Sequence, residues 1–230
     1  MREALPISSV VPYGDHAVLV AFEPGHLPVI HAITQQLIAR PLADLENVIP
    51  AVDSLVMVFK QPITLSDSWL NELQAELSAI EVPAITSVHH QLPVCYHPDI
   101  APDLNHVLSS LALKLDDFID WHASNKLTVD MLGFLPGFAY LSGQDSSLNM
   151  PRKDSPSLQV PAGSVALGGQ HTGIYTLSTP GGWHVVGRTP TPLLELGLSQ
   201  PKLLLNPMDT IHIEPISLKE YTALSAQAEP

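Results

Sequence analysis

The chain has 230 residues, 45% of them hydrophobic, enough for one large domain or two modest ones with proper cores. Lys and Arg number 10 against 23 Asp and Glu, and the formal charge of −13 opposes attraction to nucleic acid or to an anionic membrane, so neither is expected as a partner. The lone cysteine, Cys95, excludes an intrachain disulfide; with no basic leader and no apolar run of membrane-spanning length, a cytoplasmic location is expected.

Residues 16–22 (HAVLVAF) and 54–59 (SLVMVF) are short β-prone runs that read as paired strands. Between them Ile30, Ile33, Leu37 and Ile38 recur at helical spacing behind Pro28, and Leu70, Leu73, Leu77 and Ile80 repeat the pattern. Residues 1–85 therefore read as a small α+β domain with its helices on one face of an antiparallel sheet. Residues 81–86 (EVPAIT) read as a linker, after which a second domain, 86–225, opens with a strand through Cys95. In that strand Leu92, Val94 and Tyr96 share one face and Cys95 takes the other, as a small apolar residue.

Leu104, Val107, Leu108 and Leu111 form a helical stripe, and 115–125 a short helix with Asp116 as a possible cap. Beyond Thr128 the helical period gives way to short apolar segments divided by Gly and Pro, the layout of a β-barrel or sandwich; residues 225–230 read as a frayed tail.

Within that region the stretch MLGFLPGFAYLSG (131–143) breaks its own apolar run at Gly133, Pro136 and Gly137, between Phe134, Phe138 and Tyr140. It is either a tight turn with its rings in the core or a binding or interface loop. Further glycines at 160–169, 171–175 and 178–190 permit close approach of main chain to a ligand, with Gly168 and Gly169 as candidate amide donors. Neither a P-loop nor a dinucleotide fingerprint is present.

Two of the four arginines, Arg152 and Arg188, fall here, and a guanidinium suits bidentate recognition of carboxylate or phosphate; Asp154 or Asp145 offers Arg152 a structural alternative. Ser164, His171, Thr172 and His184 add hydroxyls and imidazoles, without a nucleophile elbow and without metal-ligand spacing among the 11 histidines. No residue is singled out as catalytic.

The segments LGFLPGFAYLSG, MPR, VPAGSVALGG, TGIYTLSTPGGWHVVGRTP and PVCYHPDIAPDL resemble the family of 5-oxoprolinase B subunits, KipI and allophanate hydrolase subunit 1, as do YGDHAVLVAF and NVIPAVDSLVMVF near the N-terminus. The resemblance covers nearly the whole chain in order. It implies an α+β N-terminal domain followed by a mainly-β cyclophilin-like barrel with inserted helices. It also implies a hydrolase subunit inactive alone, acting with a C subunit resembling allophanate hydrolase subunit 2 and a LamB/YcsF-type A subunit to open 5-oxoproline to glutamate. ATP with Mg2+, shared with the partners, is the implied cofactor, since a resonance-stabilised lactam resists opening until its oxygen is activated. A KipI-like inhibitor of a sensor histidine kinase and a carboxyltransferase subunit of a urea carboxylase or allophanate pathway are the alternatives. The chain departs from the family pattern at His171 and His184, where Gln is usual, and at Ser157, where Arg is common.

Overall fold

The computed structural model of the chain describes residues 5–80, 85–144, 149–197 and 201–228. Residues 81–84 of the expected linker, and Asp145, lie outside them. The chain divides into two compact units, Met1–Thr86 and Ser87–Pro230. Among the described residues no helix is long and apolar enough to cross a membrane.

The first unit runs β1 (Ile7–Pro12), β2 (Ala17–Phe22), α1 (Leu27–Ala39), β3 (Leu45–Pro50), β4 (Ser54–Phe59) and α2 (Asp67–Ala79). Its antiparallel sheet has the order β1-β2-β4-β3, and β2 and β4 pair as expected, with Ala17 opposite Val58. The edge strands β1 and β3 escape the sequence reading because neither carries a full alternation: β3 buries only Leu45 and Val48, and both strands end in proline. Pro28 sits in the first turn of α1, where a missing N–H costs nothing, and the Ser66 hydroxyl accepts the Trp69 N–H to cap α2 at 3.2 Å. Ile30, Ile33, Leu37, Leu73 and Leu77 close over Val18, Val20, Leu55 and Met57, each buried aliphatic chain contributing about 1.5–3 kcal/mol. Ile38, counted in the expected stripe, lies on the outer face and is 67% exposed.

The second unit comprises β5 (His89–Cys95), α3 (Leu104–Leu111), α4 (Leu115–Ser124), β6 (Lys126–Leu132), β7 (Ala139–Ser142), β8 (Ser157–Val160), β9 (Ser164–Gly168), β10 (His171–Ile174), β11 (Thr179–Gly181), β12 (His184–Arg188), β13 (Leu194–Glu195), β14 (Lys202–Leu203), β15 (Thr210–Ile216) and α5 (Leu218–Ala228). Seven of these strands close into a barrel in the order β10-β7-β6-β15-β5-β12-β9. A barrel, and not an open sandwich, is thus the outcome. The β5–β15 pair is parallel, in register from His89 opposite Thr210 to Cys95 opposite Ile216, and is pinned by buried Asp209. That carboxylate accepts the N–H groups of Val88 and Asn206, each at 2.9 Å, and His90 Nε2 at 3.0 Å.

Alternate residues fill the barrel, among them Leu92, Val94, Val129, Leu141, Leu167, Ile174, Val186 and Ile213, with Leu104, Val107 and Phe118 of α3 and α4 packed against them. Cys95 is buried and its thiol pKa raised by that burial, in keeping with an apolar role. Two local expectations fail. Asp116 lies in the first turn of α4, where it favours the helix dipole, while Lys114 occupies the cap position. Residues 225–228 of the expected tail are instead the end of α5, which is started by a reciprocal capping box in which Ser217 Oγ accepts the Glu220 N–H at 3.2 Å and Glu220 Oε2 accepts the Ser217 N–H at 2.8 Å.

Candidate functional site

The broken stretch at 131–143 is the β6–β7 hairpin. Its loop closes through Gly133 N–H to the Phe138 carbonyl at 3.1 Å and Phe138 N–H to the Leu135 carbonyl at 3.1 Å. Gly137 holds φ +76, and a Cβ there would be strained and would sit 2.5 Å from the Leu203 side chain, which would have to shift, so glycine is favoured. Phe134 also adopts a left-handed conformation (φ 67), rare for a bulky residue, which keeps its ring 62% exposed at a rim. The loop is thus a tight turn with Phe138 buried, while Phe134, expected in the core on the turn reading, is offered to solvent.

That rim belongs to a pocket of about 320 Å³ lined by Phe134, Phe138, Tyr140, Tyr175, Trp183 and Arg152, with Pro156, Pro180, Gly181 and Gly182 completing it. Its floor is the outer face of the barrel, and glycine makes the room. Gly168 and Gly173 lie under the Trp183 indole, where a Cβ on either would approach the ring to 2.4 and 2.7 Å; a Cβ on Gly181 would meet the Tyr175 hydroxyl at 2.3 Å. The rings then lock edge to face, Phe138 against Tyr140 at 4.8 Å, Tyr175 at 4.9 Å and Trp183 at 5.8 Å between centroids. Burial raises the pKa of Tyr140 and of Tyr175 against the opposing pull of Arg152, so both phenols stay protonated donors. Arg152 is exposed at the mouth, and among the described residues no carboxylate pairs with it, Asp154 included.

Arg152 also walls a second, polar cleft of about 520 Å³ with Asp103, His106, Asn149, Lys153, Asp154 and His184. Lys153 is already committed there, to Asp103 and to Ser157 Oγ at 2.8 Å. His184 stacks on His106 at 5.2 Å and its Nε2–H donates to the Pro151 carbonyl at 3.0 Å. A carbonyl only accepts, so the proton is on Nε2 and the buried, unpartnered Nδ1 carries a lone pair. Desolvation lowers the His184 pKa despite Asp103 nearby, which keeps the ring neutral.

The remaining sequence candidates separate from this site. Arg188 lies at the end of β12 and lines a different pocket from Arg152. Gly168 is occupied by the indole, and the Gly169 N–H is spent on the Met150 carbonyl at 2.6 Å, so these residues seat a ring and close a bridge instead of presenting a row of free amides. Ser164 is fully buried on β9. Thr172 points into the barrel, where its hydroxyl meets His122 Nε2 at 2.9 Å and Gln144 at 2.6 Å. His171 stands on the outer face, its Nδ1 4.0 Å from Asp130, whose other oxygen accepts the Ser142 hydroxyl at 2.6 Å.

Sequence reasoning missed Trp183, although PGGW after two upstream glycines was a readable sign of a seated ring. It also missed His122, buried in the barrel between Tyr96 Oη at 2.7 Å and Thr172, with burial taking its pKa down to about 4. No local signal distinguishes that histidine from a surface one on α4.

Residues 8–204 match the family model described as carboxyltransferase domain, subdomain C and D. The chain is 34% identical to the 5-oxoprolinase B subunit of Escherichia coli O157:H7 over 88% of this chain and 93% of that protein. Identity to the corresponding 5-oxoprolinase B subunit of Bacillus subtilis is also 34%, over 94% of this chain and 95% of that one. Among solved structures, TTHA0988 superposes with a TM-score of 0.72 at 29% identity; the match covers 87% of this chain but 40% of that longer one. The chain belongs to the carboxyltransferase subdomain C and D family and, within it, to the group of 5-oxoprolinase B subunits.

Proposed function

We propose that this chain is the B subunit of an ATP-dependent 5-oxoprolinase, working with A and C subunits to hydrolyse 5-oxo-L-proline to L-glutamate. The observation that carries this reading is the 34% identity that runs along 93% of the E. coli 5-oxoprolinase B subunit. A protein named as a subunit acts in a complex, so the assembly, and not this chain alone, is the catalyst; the barrel is of the cyclophilin-like kind and the complex is cytoplasmic.

The aromatic pocket supports the substrate class. About 320 Å³ lies at the small end of ligand pockets, and ring faces suit the methylenes and planar amide of a five-membered lactam. Arg152 at the mouth supplies a guanidinium fork for its carboxylate, and the protonated Tyr140 and Tyr175 offer hydroxyl donors. Hydrolysis breaks the ring C–N bond: water's oxygen joins the carbonyl carbon and the ring nitrogen leaves as the amine of glutamate. The Gly169 amide is committed, and among the described residues no three of His, Cys, Asp and Glu gather to hold a cation. ATP and Mg2+ are assigned to the assembled complex, shared with the partner subunits, and no step is routed through them on this chain.

The test is 5-oxoproline-dependent ATP hydrolysis with glutamate release, for this chain alone and mixed with candidate A and C subunits. Activity confined to the mixture is expected. A stable complex that releases no glutamate would overturn the assignment and favour the second reading, a carboxyl-transfer role, which the family model's description supports.

A further inference from the structure

We infer that the pocket around Arg188 is an oxyanion-binding site, separate from the aromatic pocket and independent of the oxoprolinase reading. It has a volume of about 390 Å³ and lies between the 162–163 turn, the end of β12, the loop 189–194 and α5. Arg188 Nε donates to the Ala162 carbonyl at 2.9 Å, which fixes the guanidinium plane and leaves the two terminal nitrogens without a protein acceptor among the described residues. Acids outnumber bases 23 to 10 in this chain, so a half-buried arginine with no carboxylate partner is not explained by scarcity of partners.

A second observation points the same way. Ser225 of α5 lines this pocket with its Oγ buried and unpartnered among the described residues. Buried hydroxyls normally find partners, and a lone one in the same pocket wall as an unpaired guanidinium describes a site whose acceptor comes from outside the chain. Thr191 and Tyr221 add further hydroxyls to the wall. Donors without a matching carboxylate select a small molecule bearing a carboxylate or a phosphate; the volume admits more than a bare ion.

The experiment titrates the isolated chain with sodium phosphate and, separately, with sodium succinate at constant ionic strength, and follows amide and arginine Nε–H signals by two-dimensional NMR. Saturable shifts of the Arg188 Nε–H and of the Gly163, Thr191 and Ser225 amides, with Gly181, Gly182 and Trp183 unmoved, are expected; whichever anion saturates at the lower concentration names the source of the oxyanion. Arg188→Gln should weaken binding by roughly tenfold to a hundredfold, the loss expected for hydrogen bonds to a charged group. Because that change also frees the Ala162 carbonyl, Ser225→Asp is the second variant: it leaves that contact intact and places a carboxylate where the anion would sit, and it should abolish the titration. Shifts absent for both anions, scattered over all basic residues, or unchanged in Ser225→Asp would overturn the inference.

Discussion

Gly168→Ala tests whether glycine in this barrel is there to seat an indole. The new Cβ would stand 2.4 Å from the Trp183 ring, against about 3.4 Å for ordinary contact, so the ring must rise by about 1 Å. Trp183 is only 7% exposed and is hemmed in by Phe138 and Tyr140 at 5.8 and 5.6 Å, so it cannot slide without opening those edge-to-face contacts. Overpacking of this kind costs about 1–3 kcal/mol, and with a urea slope of about 1–3 kcal/mol/M the unfolding midpoint should fall by on the order of 1 M.

Gly182→Ala is the control, since its Cβ would meet only Pro156 at 3.9 Å with no backbone strain. The assay is urea unfolding followed by far-UV circular dichroism and tryptophan emission, the latter in a background where Trp69 and Trp121 are phenylalanine. Red-shifted emission and a lowered midpoint in Gly168→Ala, with neither in Gly182→Ala, are expected. Equal midpoints and unchanged emission in both variants would refute the seating argument.

Burial alone would raise the Asp209 carboxyl, but the hydrogen bonds from Val88, Asn206 and His90 together bring it below its ordinary value. A carboxylate depressed on folding stabilises above its unfolded pKa, about 3.9, and loses that contribution as pH falls through the lower folded value. Asp209→Asn should therefore destabilise the second unit by about 1–3 kcal/mol at pH 7 and flatten the acid limb of its stability profile, measured by urea unfolding from pH 7 to pH 3. His122 works at higher pH: burial takes its pKa from 6.5 to about 4, so the unfolded chain binds the proton first, and stability falls as pH drops from 6.5 towards 4. That loss, at most about 3 kcal/mol, should vanish from the pH profile of His122→Leu even though the variant is less stable at pH 7. On the proposed oxoprolinase reading, Arg152→Ala should lower kcat/KM of the assembled complex by roughly tenfold to a hundredfold without moving the urea midpoint, since the side chain is exposed; unchanged kcat/KM would overturn the proposed substrate-binding role of Arg152.

Where a residue's role depended on its own neighbours in sequence, it was readable. Leu73 and Leu77 of α2, the pairing of β2 with β4 and the glycine-broken β6–β7 hairpin all follow from spacing. The capping box Ser217-Leu-Lys-Glu220 was equally readable, and the helix it starts runs on through residues 225–228, which were expected as tail. Roles set by strand pairing were hidden. Arg152 and Arg188 carry the same chemistry in similar Gly/Pro-rich surroundings, yet one stands at the mouth of the aromatic pocket and the other at the far end of β12. Gly168 and Gly173 become a single floor only because β9 and β10 pair with Gly173 opposite Ala166, a register that spacing along the chain does not contain.

The same register explains why a glycine-rich segment produces an apolar site. Glycine can expose N–H groups to an anion, or it can vacate the volume of a Cβ so that something large lies flat on the sheet. Here the ladder of the closed barrel uses the main-chain donors, and the Gly169 N–H goes to Met150, so the first use is largely closed. The second remains, and Trp183, Phe138 and Tyr175 take it, making walls whose ring faces attract rings and methylenes but no anion. Recognition of an anion then falls on side chains, and the guanidinium of Arg152 at the mouth is the group that can supply it, with Phe134 held beside it at the cost of an unfavourable backbone conformation.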